Sequence, residues 1–267
     1  MNAALIAAKY AAVGRITIRR HLAYIADFLM RTVFLVFILY IFTQLWQATF
    51  RGEGELVIAG YSFKQLVWYL ILTESMTMAC PSLCTRIEEE VKSGDVGYKL
   101  TKPISYIGLH YMGYVSEIAV RFAVNLAVGS LLGWLVLGPP GFGAGWAVFF
   151  LLAVFGFSVN FFLNLLLALC AFWVEETRGL EFVYHKLLFT IGGMLMPLEM
   201  FPELLQKICV WLPFQAVLYF PAKAAVQYES SSVPQMLAIQ MLWLVVLGLA
   251  AVLVYRRGVK KLHVNGG

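Results

Sequence analysis

Residues 81–103 read PSLCTRIEEEVKSGDVGYKLTKP, the longest strongly polar stretch in the chain, set between two apolar runs. It carries four basic residues (Arg86, Lys92, Lys99, Lys102) and four acidic ones (Glu88, Glu89, Glu90, Asp95). Residues 86–93 are expected to continue the preceding apolar run as a helix. Gly94 and Gly97 are expected to stop it, because glycine tolerates the left-handed conformation of a helix end, and Pro103 keeps a helix from running through. The stretch is therefore either a short helix with a rigid elbow, forming a polar module on one side of a membrane, or a solvated loop of mixed charge.

The surroundings decide for a membrane. Of 267 residues, 61% are hydrophobic and 13% charged, and mean hydropathy is +0.79. Soluble domains carry roughly 45–50% apolar and 25% charged residues. Apolar segments recur at about the 20 residues a helix needs to cross a bilayer. The expected fold class is all-α: a polytopic membrane protein, one transmembrane domain over residues 1–267. Spans are expected at about 28–46, 66–84, 118–137, 146–173, 182–196 and 236–255. The helix carrying the third is expected to begin near Ser105, and the fourth is long enough to tilt or project from the membrane. Pro197 and Pro213 divide the segment after the fifth span, so residues 197–222 are expected as re-entrant or surface helices on the far side. Residues 1–22 lack the basic-then-apolar order of a cleavable signal. They are expected as an interfacial helix, with Leu5, Ile6, Val13 and Ile16 toward lipid and arginines toward headgroups.

Charge orients these spans. Lys9, Arg15, Arg19 and Arg20 precede the first; the 81–103 stretch adds four basic residues, the fourth link Arg178 and Lys186, and the tail Arg256, Arg257, Lys260 and Lys261. These fourteen face four on the other side (Arg51, Lys64, Lys207, Lys223). The richer side is cytoplasmic, which puts both termini and the polar module there. The net charge of +5 reflects these flanks and membrane lipid, not nucleic acid. The four cysteines form no disulfide framework and no zinc pattern with histidine.

Within the spans, Glu74 is the ionisable residue at mid-depth. A charge there costs at least ~2.5 kcal/mol on insertion scales, so it either faces a substrate path, pairs with a basic residue of another helix, or bonds to Ser and Thr neighbours. Glu117 and Arg121 are one turn apart and share a face, as a local ion pair or as part of a path. Glu181 and His185 are also one turn apart, with no further metal ligand. Gly129 and Gly133 permit close helix approach, in a dimer face or within the chain.

Ile87, Glu90, Gly94-Asp95-Val96, Leu100 and Lys102-Pro103-Ile104 resemble the E-I-x-x-G…L-x-(R/K)-P-I segment of ABC-2-type permeases. The element order is similar too: an interfacial helix, six spans, a cytoplasmic helix after span two and short outer helices before span six. More narrowly, the chain resembles the bacterial ABC-2 family transporter group. In this chain the I-x-x-G spacing is stretched, with residues 88–93 before Gly94.

The resemblance implies a permease subunit of an exporter in the bacterial inner membrane, dimeric with a like or related permease, with ATP-binding cassette subunits docked on its cytoplasmic helices. ATP and Mg would belong to that partner. The chain has no G-x-x-x-x-G-K-[ST] run, and it is expected to carry no cofactor of its own and no catalytic residue. Coupling is then expected at Arg86, Glu88, Glu89, Glu90, Lys92, Gly94, Lys102 and Pro103 within segment 85–104. Glu175 and Arg178 form either a second contact or a plain solvated turn. Apolar walls, aromatic content and Glu74 point to an amphipathic or cationic substrate: a drug, lipid or peptide. Two other classes compete. An intramembrane enzyme would need Gly-x-Ser-x-Gly, paired aspartates or His-Glu-x-x-His, which the sequence lacks. An ion-coupled carrier is opposed by the absence of an evident inverted repeat and the single deep carboxylate.

Overall fold

A computed structural model of the protein describes residues 3–23, 25–54 and 56–265. The architecture is all-α apart from a hairpin in which β1 (Val57–Ile58) pairs antiparallel with β2 (Tyr61–Ser62). In order, the helices are α1 (Ala3–Ala23), α2 (Ile25–Glu53), α3 (Phe63–Ala79), α4 (Leu83–Ser93), α5 (Asp95–Leu100), α6 (Tyr106–Leu137), α7 (Gly145–Leu169), α8 (Arg178–Ile191), α9 (Glu203–Val210), α10 (Tyr219–Val226) and α11 (Val233–Asn265).

Helix α3 is the element the others surround. In the apolar window of 63–93, 78% of residues are buried inside the protein, against 11–50% in the other long helices. It starts at a capping box, where Ser62 accepts the Gln65 N–H and the Gln65 side chain accepts the Ser62 N–H, satisfying two otherwise unpaired donors. It stops because Pro81 forces Cys80 into an extended backbone. The expected continuous helix from span two into 86–93 is therefore interrupted, and α4 starts afresh with Ser82 as its N-cap. Gly94 ends α4 in the left-handed conformation (φ 79°). Gly97 does not act as a stop: it lies inside α5.

Small residues set the closest approaches. A Cβ at Gly133 would stand 2.6 Å from Ile71 Cδ1, and one at Gly129 3.0 Å from Ile71 Cγ2. Both glycines face α3, so the spacing serves packing within the chain rather than a dimer face. On α7, a Cβ at Gly145 or Gly156 would stand 2.6 Å from the carbonyl oxygen of Ala225 or Val217 respectively. That draws α7 against α10 and the 3-10 turn before it.

Contacts sort the elements into two ends. At one end, Tyr10 accepts the Ser105 N–H at 3.2 Å, Tyr106 stacks on Tyr255, and Gly258 rests on Phe172. At the other, Tyr61 donates to Glu199, Gln65 to the Val226 carbonyl and Gln227 to the Gly60 carbonyl. Helix α1 and the last turns of α11 share the first end. Arg15, Arg19 and Arg20 of α1 are exposed and its Gly14 is buried against Ser116 and Met112 of α6. The Leu5 and Ile6 side chains lie outside the described residues.

Among the described residues, five helical stretches are long and apolar enough to cross a membrane: Thr32–Gly52, Phe63–Ser93 (α3 with α4), Tyr106–Leu137, Gly145–Phe172 and Val233–Lys261. The expected span 182–196 is different. Helix α8 has 14 residues, about 21 Å at 1.5 Å per residue, against a core of about 30 Å. It gives way to a turn at Gly192–Gly193, where Gly193 has φ 72°. The chain still passes from one end to the other here. Helix α8 begins beside α4, and Gly193 and Met194 accept from Tyr69 and Thr73 of α3 on the way to Glu199.

Candidate functional site

Helix α4 is where the polar stretch meets the core. A step of 100° per residue puts Leu83, Ile87 and Glu90 on one side and Glu89 on the opposite side. Leu83, Cys84 and Ile87 are buried. The carboxylates of Glu88 (4% exposed) and Glu90 (6%) are buried with them, and each is matched by donors. Glu88 Oε2 accepts both the backbone N–H and the hydroxyl of Thr177 at 2.8 Å, and its Oε1 pairs with Lys92 at 2.7 Å. Glu90 accepts the Tyr106 hydroxyl at 2.9 Å, meets His110 Nε2 at 3.2 Å and pairs with Lys99. Ser82 donates to Glu181 at 2.7 Å. Buried charges of this kind are held by partners because stripping a lone ion of water costs several kcal/mol.

Arg86, expected in the coupling segment, reaches inward to Glu117 at 2.8 Å, and Arg121 approaches the other oxygen at 2.5 Å. The expected Glu117–Arg121 pair is therefore part of an ion network that, among the described residues, includes Arg86 and joins α4 to α6. Of the glutamate run 88–90, only Glu89 is exposed.

Beside α4 lies a cleft of about 470 Å³, lined by Glu88, Val91 and Lys92, by 171–176 at the end of α7, and by Lys261 of α11. It brings together Glu88, Lys92 and Glu175, which sequence placed in two separate links, with Lys261 of the basic tail and with Trp173, which it did not single out. Gly94, Lys102, Pro103 and Arg178 are exposed outside that lining. Tyr98 on α5 is 67% exposed, with Lys102 Nζ 4.5 Å from its ring centroid. The cleft thus has mixed charge beside the exposed Trp173 ring, and α5 presents a second exposed ring at Tyr98; aromatic residues are enriched where proteins meet.

Glu74 stands apart from all of this. It is 1% exposed, on α3, and neither carboxyl oxygen has a hydrogen-bond partner among the described residues. Nearer the α4 end, Asn160 of α7 donates to the Tyr114 hydroxyl at 2.8 Å and to Cys80 Sγ at 3.0 Å, and accepts from Tyr184. This polar knot ties α3, α6, α7 and α8 together.

At the opposite end, Glu199 accepts from Tyr61 at 3.2 Å, from Tyr219 at 2.5 Å and from Lys223. Burial works to raise the Glu199 carboxyl, but the bonds from Lys223 and Tyr219 outweigh it and hold the group below the usual carboxylate range. Burial, reinforced by the Glu199 charge, pushes the Tyr61 and Tyr219 hydroxyls up. Glu203 is exposed.

Ser82, Tyr106 and His110 are not among the residues expected at the site, and Thr177 is expected only as part of the polar link 175–178. Ser82 and Thr177 carry a readable local signal, since Ser and Thr are favoured just before a helix. Their carboxylate partners, 99 and 89 residues away, carry none. A search of curated proteins found no match. The signature of the ABC-2 family transporter protein matches residues 28–266, most of the chain and nearly all of the fold described above. With its five long apolar helices and its polar module at one end, this chain belongs to the ABC-2 transporter family as a multi-pass membrane component.

Proposed function

We propose that the chain is the permease subunit of an ATP-driven exporter, paired with a second like or related permease. In this reading it has no catalytic activity of its own, and ATP-binding cassette subunits, which family membership implies in general, hydrolyse ATP with Mg. The observation that carries the reading is the cleft of Glu88, Lys92, Trp173, Glu175 and Lys261. It gathers two polar links and the basic tail at the end where α1, α4 and the last turns of α11 meet. Exposed Arg15, Arg19, Arg20, Lys102, Arg178, Arg256, Arg257 and Lys260 at that end support a cytoplasmic placement by the positive-inside rule, with both chain ends on that side of a bacterial inner membrane.

Six crossings result if α8 and its glycine turn make the fifth. An irregular turn at membrane depth is tolerated only where protein covers it or water reaches it. The bonds from Tyr69 and Thr73 to Gly193 and Met194 meet that condition. The substrate in this reading is amphipathic or cationic, a drug, lipid or peptide, and Glu74 lies on or beside its path. The test is co-expression with an ATP-binding cassette subunit. Co-purification and ATP hydrolysis that requires this chain support the reading; ATP-independent transport by the chain alone in vesicles would replace it with a secondary carrier.

A further inference from the structure

Helix α4 is tied to the first turn of α8 at two points. Ser82, at the N-terminus of α4, donates to Glu181 at 2.7 Å. Six residues on, Glu88 accepts both donors of Thr177, the N-cap of α8, at 2.8 Å each. Glu88 and Thr177 are 4% and 0% exposed, and Glu88, at the wall of the cleft beside α4, makes charge-assisted bonds to Thr177. The two ties are about 9 Å apart along α4, at 1.5 Å per residue. A two-point attachment transmits tilt as well as translation.

Along its length α8 is held on one face only, where Leu188 is buried and Tyr184 packs on Phe214. Its Phe182, Val183, Leu187 and Phe189 are exposed. Its inner face is pinned by Tyr184 to Asn160, and the turn after it by Tyr69 and Thr73. A Cβ at Gly193 would come within 3.0 Å of Tyr219 Cβ, and Tyr219 donates to Glu199 in the outer cluster. A short helix and the glycine turn after it thus lead from α4 at one end of the bundle toward the outer cluster at the other.

We infer that α4 drives α8 through the Ser82–Glu181 and Glu88–Thr177 ties, so that α8 acts as a push-rod carrying partner-induced movement at α4 to the outer cluster. Ser82 and Thr177 are positioning residues in this scheme, with no contact to substrate. The inference rests on the reading of α4 as the docking helix for an ATP-binding subunit.

The test uses the whole complex in lipid nanodiscs, followed by hydrogen–deuterium exchange with and without ATP. In the unsubstituted complex, ATP should change exchange in both α4 (83–93) and α8 (178–191). In a Ser82→Ala/Thr177→Val double variant the α4 response should persist and the α8 response should fall at least threefold. Thr177→Ser alone, which keeps both donors to Glu88, should leave the α8 response at its unsubstituted level. Ser82→Ala alone, at an exposed position, serves if the double variant does not fold, and should lower the α8 response about twofold. An undiminished α8 response in the variants that remove a tie overturns the push-rod while leaving the docking reading intact. No α4 response in the unsubstituted complex overturns both.

Discussion

Arg86 Nη2 lies 2.8 Å from Glu117 Oε2, while Arg121 Nη2 stands 2.5 Å from the same carboxylate's other oxygen, so one buried acid joins α4 to α6. Glu117 is 1% exposed, and removing its charge leaves two guanidiniums facing each other. Breaking a fully buried pair costs about 3–5 kcal/mol. The Arg86 side chain is 31% exposed, which allows water to compensate part of that loss. Glu117→Gln should therefore destabilise by about 2 kcal/mol, read as a lower midpoint in thermal unfolding followed by size-exclusion chromatography. An unchanged midpoint would mean that the network adds nothing to the fold.

Glu74 should behave in the opposite sense. Its carboxyl is buried without a hydrogen-bond partner among the described residues, so the fold bears a desolvation cost with no compensating contact. Glu74→Gln should raise the midpoint by roughly 2–4 °C, about 1 kcal/mol for a chain of this size, without preventing assembly with the partner. Altered export with normal assembly would place Glu74 on the substrate path; unchanged export of the true substrate would remove it from that path.

The outer cluster should be sensitive to acid. Glu199 is held below the ordinary carboxylate range by Lys223 and Tyr219, so the folded state favours its ionised form. Its contribution is complete above the unfolded-state value of about 4.3 and is lost as pH falls through the lower folded-state value. Thermal midpoints between pH 7 and pH 3 should therefore fall more steeply for the natural sequence than for Glu199→Gln. Equal slopes would show that Glu199 does not contribute to the acid response.

Tyr98 is 67% exposed beside Lys102, and exposed aromatics at the centre of a protein interface carry much of its energy. If α4 and α5 form the docking surface, Tyr98→Ala should weaken binding of an ATP-binding cassette subunit at least fivefold, about 1 kcal/mol. The monomer's own thermal midpoint should stay unchanged. Affinity measured by biolayer interferometry on nanodisc-bound protein decides it.

Much of this fold can be read from local sequence, because apolar runs of bilayer length, Pro81 and Gly94 act at the positions where they stand. The break after α3 is legible in Pro81, although the polar pattern beyond it favours a helix running through. Orientation is not legible. Glu88, Glu89 and Glu90 look alike in sequence, but two of them point inward because Thr177, Tyr106 and His110 supply donors from distant elements. Charge reversal across all three would damage those internal contacts as well as any docking surface, so Glu89 is the informative position. Helix α8 is the other case. Its residues are apolar enough for a span, but Gly192–Gly193 and Pro197 shorten the helix, and the rest of the passage is built from contacts with α3.

In the proposed function the α4 end of the bundle receives an ATP-binding cassette subunit. Site-specific photo-crosslinking in the assembled complex tests it most directly, with the reactive group placed at exposed Glu89 and, as a control, at Trp211, 81% exposed beyond α9 at the other end. The expected result is an adduct with the ATP-binding subunit from position 89 and none from position 211. An adduct from 211 with none from 89 would place the ATP-binding subunit at the opposite end and exclude docking at α4.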